Sequence, residues 1–277
     1  MNTCLTIGIT TFGNKISFDV INFLKGQPIN VIISENKEDL SLSPPEYVNE
    51  LLKSKVNTKY IFCNKPGIGN NRQNILDNVE TKYFYTIDND DNLEGDLKEV
   101  IKFLNNEEYD AFYIRCYEDG KYMNIPHNFI YMCTWMQIYR TAWIRELGGY
   151  LQSWNFIHEE SVTNINWRVN LNKKKYRRII IPKKYLSYKY HPNSACIVDF
   201  DIGKVCDFIN QIHKNEKIKD KGRFIRLFEN FVKKYMKIYR VNSNKDVTYI
   251  DTYINGKFED IFFCLNNQKS IIKRSVR

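Results

Sequence analysis

The first ninety residues alternate short apolar runs with longer segments whose apolar positions fall three and four apart. Residues 5–9 (LTIGI), 29–33 (INVII), 60–63 (YIFC) and 83–87 (YFYTI) are short and rich in β-branched and aromatic side chains. That composition and length predict buried strands. Between them Ile16, Val20, Phe23 and Leu24 share one helical face, and Tyr47, Val48, Leu51 and Leu52 share another. Residues 70–79 present Ile75, Leu76 and Val79 in the same way. Strand–helix alternation at this pitch predicts an α/β fold, a parallel sheet wound with helices. Ligands of such sheets bind beyond the carboxyl ends of the strands. Three polar loops fall there: Thr10-Thr11-Phe12-Gly13, Ser34-Glu35-Asn36 and Asp88-Asn89-Asp90-Asp91. A site is expected where they converge.

Further along, Leu93, Leu97, Val100, Ile101 and Leu104 predict a helix ended by Asn105-Asn106. Residues 109–117, 132–139 and 178–181 read as strands, 162–171 as a helix, and Leu147-Gly148-Gly149-Tyr150 as a turn. From about residue 201 the pattern changes. Phe224, Leu227, Phe228, Phe231, Val232, Tyr235 and Tyr239 recur at helical spacing, with Arg223, Arg226, Lys233, Lys234, Lys237 and Arg240 mostly on other faces. The expected organisation is an α/β domain over residues 1–200 and a basic, mainly helical extension over 201–277.

With 43% hydrophobic and 26% charged residues the chain reads as globular rather than disordered. Its seven cysteines form no C-x-x-C pair, which suits reduced thiols better than a disulfide frame or a zinc site. The start of the sequence has no basic segment followed by an apolar run, and no stretch approaches the about 20 apolar residues of a membrane span. The expectation is a cytoplasmic protein. Charge changes the picture more. Residues 1–169 carry 16 Lys and Arg against 22 Asp and Glu, whereas residues 170–277 carry 25 against 10. That asymmetry suits a basic region facing an anionic partner, or else a solvated lysine-rich face.

The cluster Asp88-Asn89-Asp90-Asp91 follows an apolar strand directly, so three carboxylates crowd one strand end. Like charges at that spacing call for a compensating cation. Hard oxygen ligands suit Mg²⁺ or Mn²⁺, which bridge carboxylates to substrate phosphates. The plainer reading is an acidic loop that caps a helix.

The run Asn64-Lys65-Pro66-Gly67-Ile68-Gly69-Asn70-Asn71-Arg72-Gln73-Asn74, a helix, and then Tyr83-Phe84-Tyr85-Thr86-Ile87-Asp88-Asn89-Asp90-Asp91 resemble family-2 glycosyltransferases of the GT-A fold. The opening Ile7-Gly8-Ile9-Thr10-Thr11-Phe12 resembles that family's first strand and loop, and Ile32-Ile33-Ser34-Glu35-Asn36 its second. Ser34 stands where the family carries a uracil-contacting aspartate, with Glu35 or Asn36 as substitutes. Ile144-Arg145-Glu146-Leu147-Gly148-Gly149-Tyr150 is similar to the family's R-x-x-G-G-F turn, and His158-Glu159-Glu160 lies where its Glu-Asp pair is expected. Tyr188-Lys189-Tyr190-His191-Pro192-Asn193-Ser194 resembles a late Y-R-x-H-x-x-S element.

The resemblance covers residues 5 to about 195 and implies an inverting, metal-dependent transferase. Its donor is a nucleotide sugar, expected to be UDP-linked. Its acceptor is a glycan or lipid-linked saccharide, in bacterial surface polysaccharide synthesis. Glu160 inherits the role of general base, with Glu159 as fallback. Thr10, Thr11, Glu35, Asn36, Arg72, Asp88 and Asp90 are expected to hold the donor, and Asp90, Asp91 and His191 the Mn²⁺ or Mg²⁺. The basic extension suits an anionic membrane surface on the cytosolic side, a docked cap, or a homodimer contact; no nucleic acid partner is expected. A sugar nucleotidyltransferase is the rival enzyme, disfavoured because residues 10–15 are not a glycine-rich, basic phosphate loop. A non-catalytic protein binding glycan or nucleic acid through the basic half is the rival from another class.

Overall fold

The computed structural model describes residues 3–12, 16–36, 46–54, 56–65, 67–118, 121–122, 136–151, 159–171, 177–182 and 185–189, then 212, 214–216, 218–228 and 230. Contacts divide the chain into two compact units, Met1–Val198 and Asp199–Arg277. In the first unit a seven-stranded sheet has the order β10-β6-β9-β4-β1-β2-β3. Its parallel half comprises β1 (Leu5–Thr11), β2 (Asn30–Asn36), β3 (Asn57–Cys63) and β4 (Tyr83–Asp88). The helices α1 (Phe18–Leu24), α2 (Glu46–Lys53) and α3 (Ile68–Asp77) alternate with them, as the apolar pattern predicts.

Beyond β4 the sheet departs from the parallel expectation. Strand β9 (Gln137–Arg140) enters antiparallel between β4 and β6 (Ala111–Tyr113), and β10 (Arg178–Ile180) lies parallel at the edge beside β6. Residues 109–117 are not one strand: β6 stays in the main sheet while β7 (Arg115–Glu118) joins a second, four-stranded sheet. That sheet also holds β5 (Asn92–Gly95), β8 (Lys121–Tyr122) and β11 (Leu186–Lys189). Leu93, expected on a helix, therefore lies in β5, because the Asp96 carboxylate caps the following helix α4 (Leu97–Asn106) by accepting from the Lys98 N–H at 2.8 Å. Helix α5 (Thr141–Glu146) has too short an apolar pattern to be read from sequence, whereas α6 (Glu159–Asn170) was expected as a helix over 162–171.

Strand parity sorts the core. Ile7, Ile9, Val31, Ile33, Tyr85 and Ile87 face α1, α2 and α4, while Ile32, Phe84 and Tyr139 pack with α3, α5 and Trp167 of α6. Gly8 lies on the α3 side, where a Cβ would come within 2.5 Å of Ile75 Cγ2, so only glycine lets the helix sit this close. Among the described residues no helix is long and apolar enough to cross a membrane. In the second unit, residues 221–228 are helical; Phe224 and Phe228 are buried with their rings stacked at 6.3 Å, and Arg226 is exposed.

Candidate functional site

The same parity that builds the core selects which polar side chains meet. Thr10, Ser34 and Asp88 share the face of Gly8 and Phe84, so they point toward α3 at the carboxyl ends of β1, β2 and β4. Helix α3 answers with polar residues at the matching end. Arg72 Nη2 donates to Asp88 Oδ1 at 3.1 Å and Oδ2 at 3.3 Å, and Thr10 Oγ1 donates to Asp88 Oδ1 at 2.7 Å. Asn71 Nδ2 donates to the Thr11 carbonyl at 3.1 Å, and Asn74 Nδ2 to Ser34 Oγ at 2.9 Å. Glu35 has the opposite parity. It is buried on the other side of β2, where it accepts from the Tyr60 hydroxyl. Asn36, at the last position of β2, gives its amide to the carbonyls of Cys63 and Lys65.

The three aspartates expected to act together have separate places. Asp91 is buried, and its Oδ2 accepts from the Asp88 backbone N–H at 2.7 Å, closing the turn at the strand tip. The Asn89 carbonyl accepts from the Ser17 N–H at 2.8 Å, which ties the turn to the start of α1. Asp90 is exposed at the apex. The cation that compensates the crowd inside the protein is Arg72, whose side chain is 2% exposed. Among the described residues no three His, Cys, Asp or Glu side chains converge as a metal cage. One outward carboxylate instead fits a hard divalent ion that takes the rest of its ligands from phosphates and water.

Glu159 and Glu160 open α6, and their backbone position is set from behind. Asn170 Nδ2 donates to the Leu147 carbonyl at 2.8 Å, Trp167 Nε1 to the Gly149 carbonyl at 2.7 Å, and the Leu151 N–H to Thr163 Oγ1 at 3.2 Å. Helix α6 thus runs antiparallel to residues 147–151. Those residues climb along α3 in turn: Arg145 Nη2 donates to the carbonyls of Leu76 and Val79, and the Tyr150 N–H to Gln73 Oε1 at 2.7 Å. Each step toward the start of α6 is a step toward the start of α3, at the end of the sheet where Asp88 lies. Gly149 has φ +65°, and a Cβ there would fall 2.2 Å from Gln73 Oε1.

Several contributors escaped the sequence reading. Asn71, Asn74, Gln73 and Thr163 each fix a loop or strand end from a helix face that otherwise packs apolar residues. Asn71 and Thr163 are buried and Gln73 and Asn74 half-buried, so their signal was polar residues on the inward side of a helix. His191 lies outside the described residues, as do the side chains of Glu159 and Glu160.

Residues 19–148 match the family model described as glycosyl transferase family 2. No curated protein matches the chain. Among solved structures, residues 1–349 of S. aureus TarS in complex with UDP-GlcNAc superpose with a TM-score of 0.60 at 14% identity, over 95% of this chain and 90% of that one. Against the longer TarS crystal structure the TM-score is 0.59 at 14% identity, over 93% of this chain and 49% of that one. The mannosyltransferase PcManGT from Pyrobaculum calidifontis, in complex with GDP-Man and Mn²⁺, gives a TM-score of 0.50 at 10% identity, over 96% of this chain and 74% of that one. The expected α/β GT-A fold is the fold observed.

Proposed function

We infer that this chain, which carries a family-2 glycosyltransferase module over residues 19–148, moves a sugar from a nucleotide-sugar donor to a hydroxyl of a glycan or lipid-linked acceptor. The observation behind this reading is the β4 tip: Asp88 and Asp91 are tied within it, and Asp90 is presented outward at the carboxyl end of the sheet's parallel half. Asp90 would hold a Mn²⁺ or Mg²⁺ together with the donor diphosphate, which we take to be UDP. That ion, when bound, supplies a Lewis acid that neutralises the leaving nucleoside diphosphate.

The chain's own residues do the rest. Glu160, with Glu159 as the alternative, takes the proton from the acceptor hydroxyl as its oxygen attacks the anomeric carbon. The bond from that carbon to the donor phosphate oxygen breaks as the glycosidic bond forms, so one displacement inverts the configuration. Thr10 and Arg72 serve the donor side by fixing Asp88, and Asn36 and Thr11 stand at the carboxyl ends of β2 and β1, where the nucleoside would lie. Residues 214–240 contain ten Lys or Arg and three Asp or Glu. Such a segment would hold the enzyme against anionic lipid, at about 1 kcal/mol per basic residue near the surface.

The test is release of nucleoside diphosphate from a panel of UDP- and GDP-sugars, with Mn²⁺, with Mg²⁺ and with EDTA. The expected result is metal-dependent release from at least one donor, lost in Asp90→Asn. Release of pyrophosphate from a sugar phosphate and nucleoside triphosphate would favour a nucleotidyltransferase instead.

A further inference from the structure

We infer that Gln137 helps decide which sugar is moved in the transfer proposed above, on which this inference rests: its carboxamide hydrogen-bonds a ring hydroxyl at the floor of the cleft. Gln137 opens β9 and is wholly buried. Among the described residues neither its Oε1 nor its Nε2 has a hydrogen-bond partner. A carboxamide brings two donor hydrogens and two acceptor lone pairs, and leaving them unpaired inside a protein opposes folding. Such groups are few in native structures, and each asks for a reason. Packing alone would be served by an apolar side chain of the same length.

Its place supplies the reason. Strand β9 runs antiparallel to β4, with Tyr139 beside Phe84 and Ile138 beside Tyr85, so Gln137 falls in the row of Thr86. Parity puts it on the face of Tyr139, where the Trp167 ring of α6 lies edge-on at 5.2 Å. From Trp167 the buried Asn164 and then Glu160 follow at helical spacing toward the start of α6. Three layers result. The deepest is aromatic, of Phe84, Tyr139 and Trp167; the next is polar and buried, of Thr86, Gln137 and Asn164; the outermost carries Asp88 and Glu160. Successive layers are about 5–7 Å apart, two strand residues or three to four helix residues. Thr86 is tied to the Tyr150 hydroxyl at 3.4 Å. The Gln137 carboxamide has no such tie, so a change of rotamer toward the outer layer breaks no hydrogen bond. A sugar held between Asp90 and Glu160 would lie over this floor. A site that hydrogen-bonds a hydroxyl rejects a sugar lacking it there, because its own polar atoms are left unpaired.

The experiment measures diphosphate release by the whole protein and by Gln137→Met, with Mn²⁺ present. The donors are UDP-linked glucose, galactose, N-acetylglucosamine and N-acetylgalactosamine, and GDP-mannose. In Gln137→Met, kcat/KM on the best donor should fall at least about tenfold while an epimeric donor holds its value, so the preference shrinks by the same factor. Affinity for UDP with Mn²⁺, which carries no sugar, should stay at the wild-type level. The Tm should rise by about 2–4 °C, because an unpaired buried carboxamide gives way to a thioether chain of the same length. A residue that only holds the fold would lower the Tm and slow every donor alike. That pattern, or a donor preference unchanged in the variant, would overturn the assignment and leave the proposed function standing. Gln137→Leu repeats the test if Gln137→Met does not fold, and failure of both to fold would also overturn it. A wild type that releases diphosphate from no donor would defeat the transfer reading and this inference with it.

Discussion

The acids at the end of β4 and the acids at the start of α6 are positioned by different means. Around β4 the fixing is done by side chains that reach across the fold, with Thr10, Arg72 and Asp91 each bonded to Asp88. At α6 the described ties lie one to three turns behind the two glutamates, where Thr163, Trp167 and Asn170 attach the helix to residues 147–151. One arm is fixed at the functional group. The other is aimed from a distance, by a helix whose rise of 1.5 Å per residue carries any tilt forward to its end. Substitutions near β4 should therefore act on binding, and substitutions far along α6 should act on transfer.

The largest effect is expected at the aimed arm. Glu160→Gln should lower transfer by about 10²–10⁴-fold while donor affinity stays at the wild-type level. If Glu159→Gln is the inactive variant and Glu160→Gln turns over normally, the base assignment moves by one residue. At the fixed arm, Asp90→Asn should lower metal-dependent donor turnover by about 10²–10³-fold, measured as diphosphate release at saturating Mn²⁺. The comparison breaks if the two variants lose binding and transfer in equal measure.

Smaller effects should follow the ties. Trp167 is wholly buried, edge-on to Tyr139 and Tyr150 at 5.2 and 5.4 Å. Trp167→Ala should destabilise the fold by about 3–5 kcal/mol in denaturant unfolding, and Trp167→Phe should lower kcat more than donor affinity. Gly149→Ala forces a side chain into a left-handed backbone against Gln73 and should cost about 1–3 kcal/mol. At the small end stands Phe18→Ser. That ring is 71% exposed, and unfolding should change by no more than about 0.5 kcal/mol.

The parallel half of the sheet was legible because β1, β2 and β4 are buried on both faces and appear as apolar runs between amphipathic helices, while the edge strand β3 showed only through its YIFC end. The antiparallel insertion of β9 was not, since residues 137–140 (QIYR) carry no signal for their partner; pairing is decided by a distant register, Phe84 against Tyr139. For the site, spacing after an apolar strand was enough to find Asp88, Asp90 and Asp91. Their division of labour was not readable, because it turns on strand parity and on a buried arginine sixteen residues away. The resemblance gave Asp88 and Asp90 to the donor and Asp90 and Asp91 to the metal. In the fold Asp88 and Asp91 are tied by hydrogen bonds within the tip and Asp90 is exposed.

The most direct measurement is a crystal structure of the protein soaked with UDP and Mg²⁺. The account predicts an ion at about 2.0–2.1 Å from an Asp90 oxygen, completed by diphosphate oxygens and water. An ion bound away from Asp90 would contradict it.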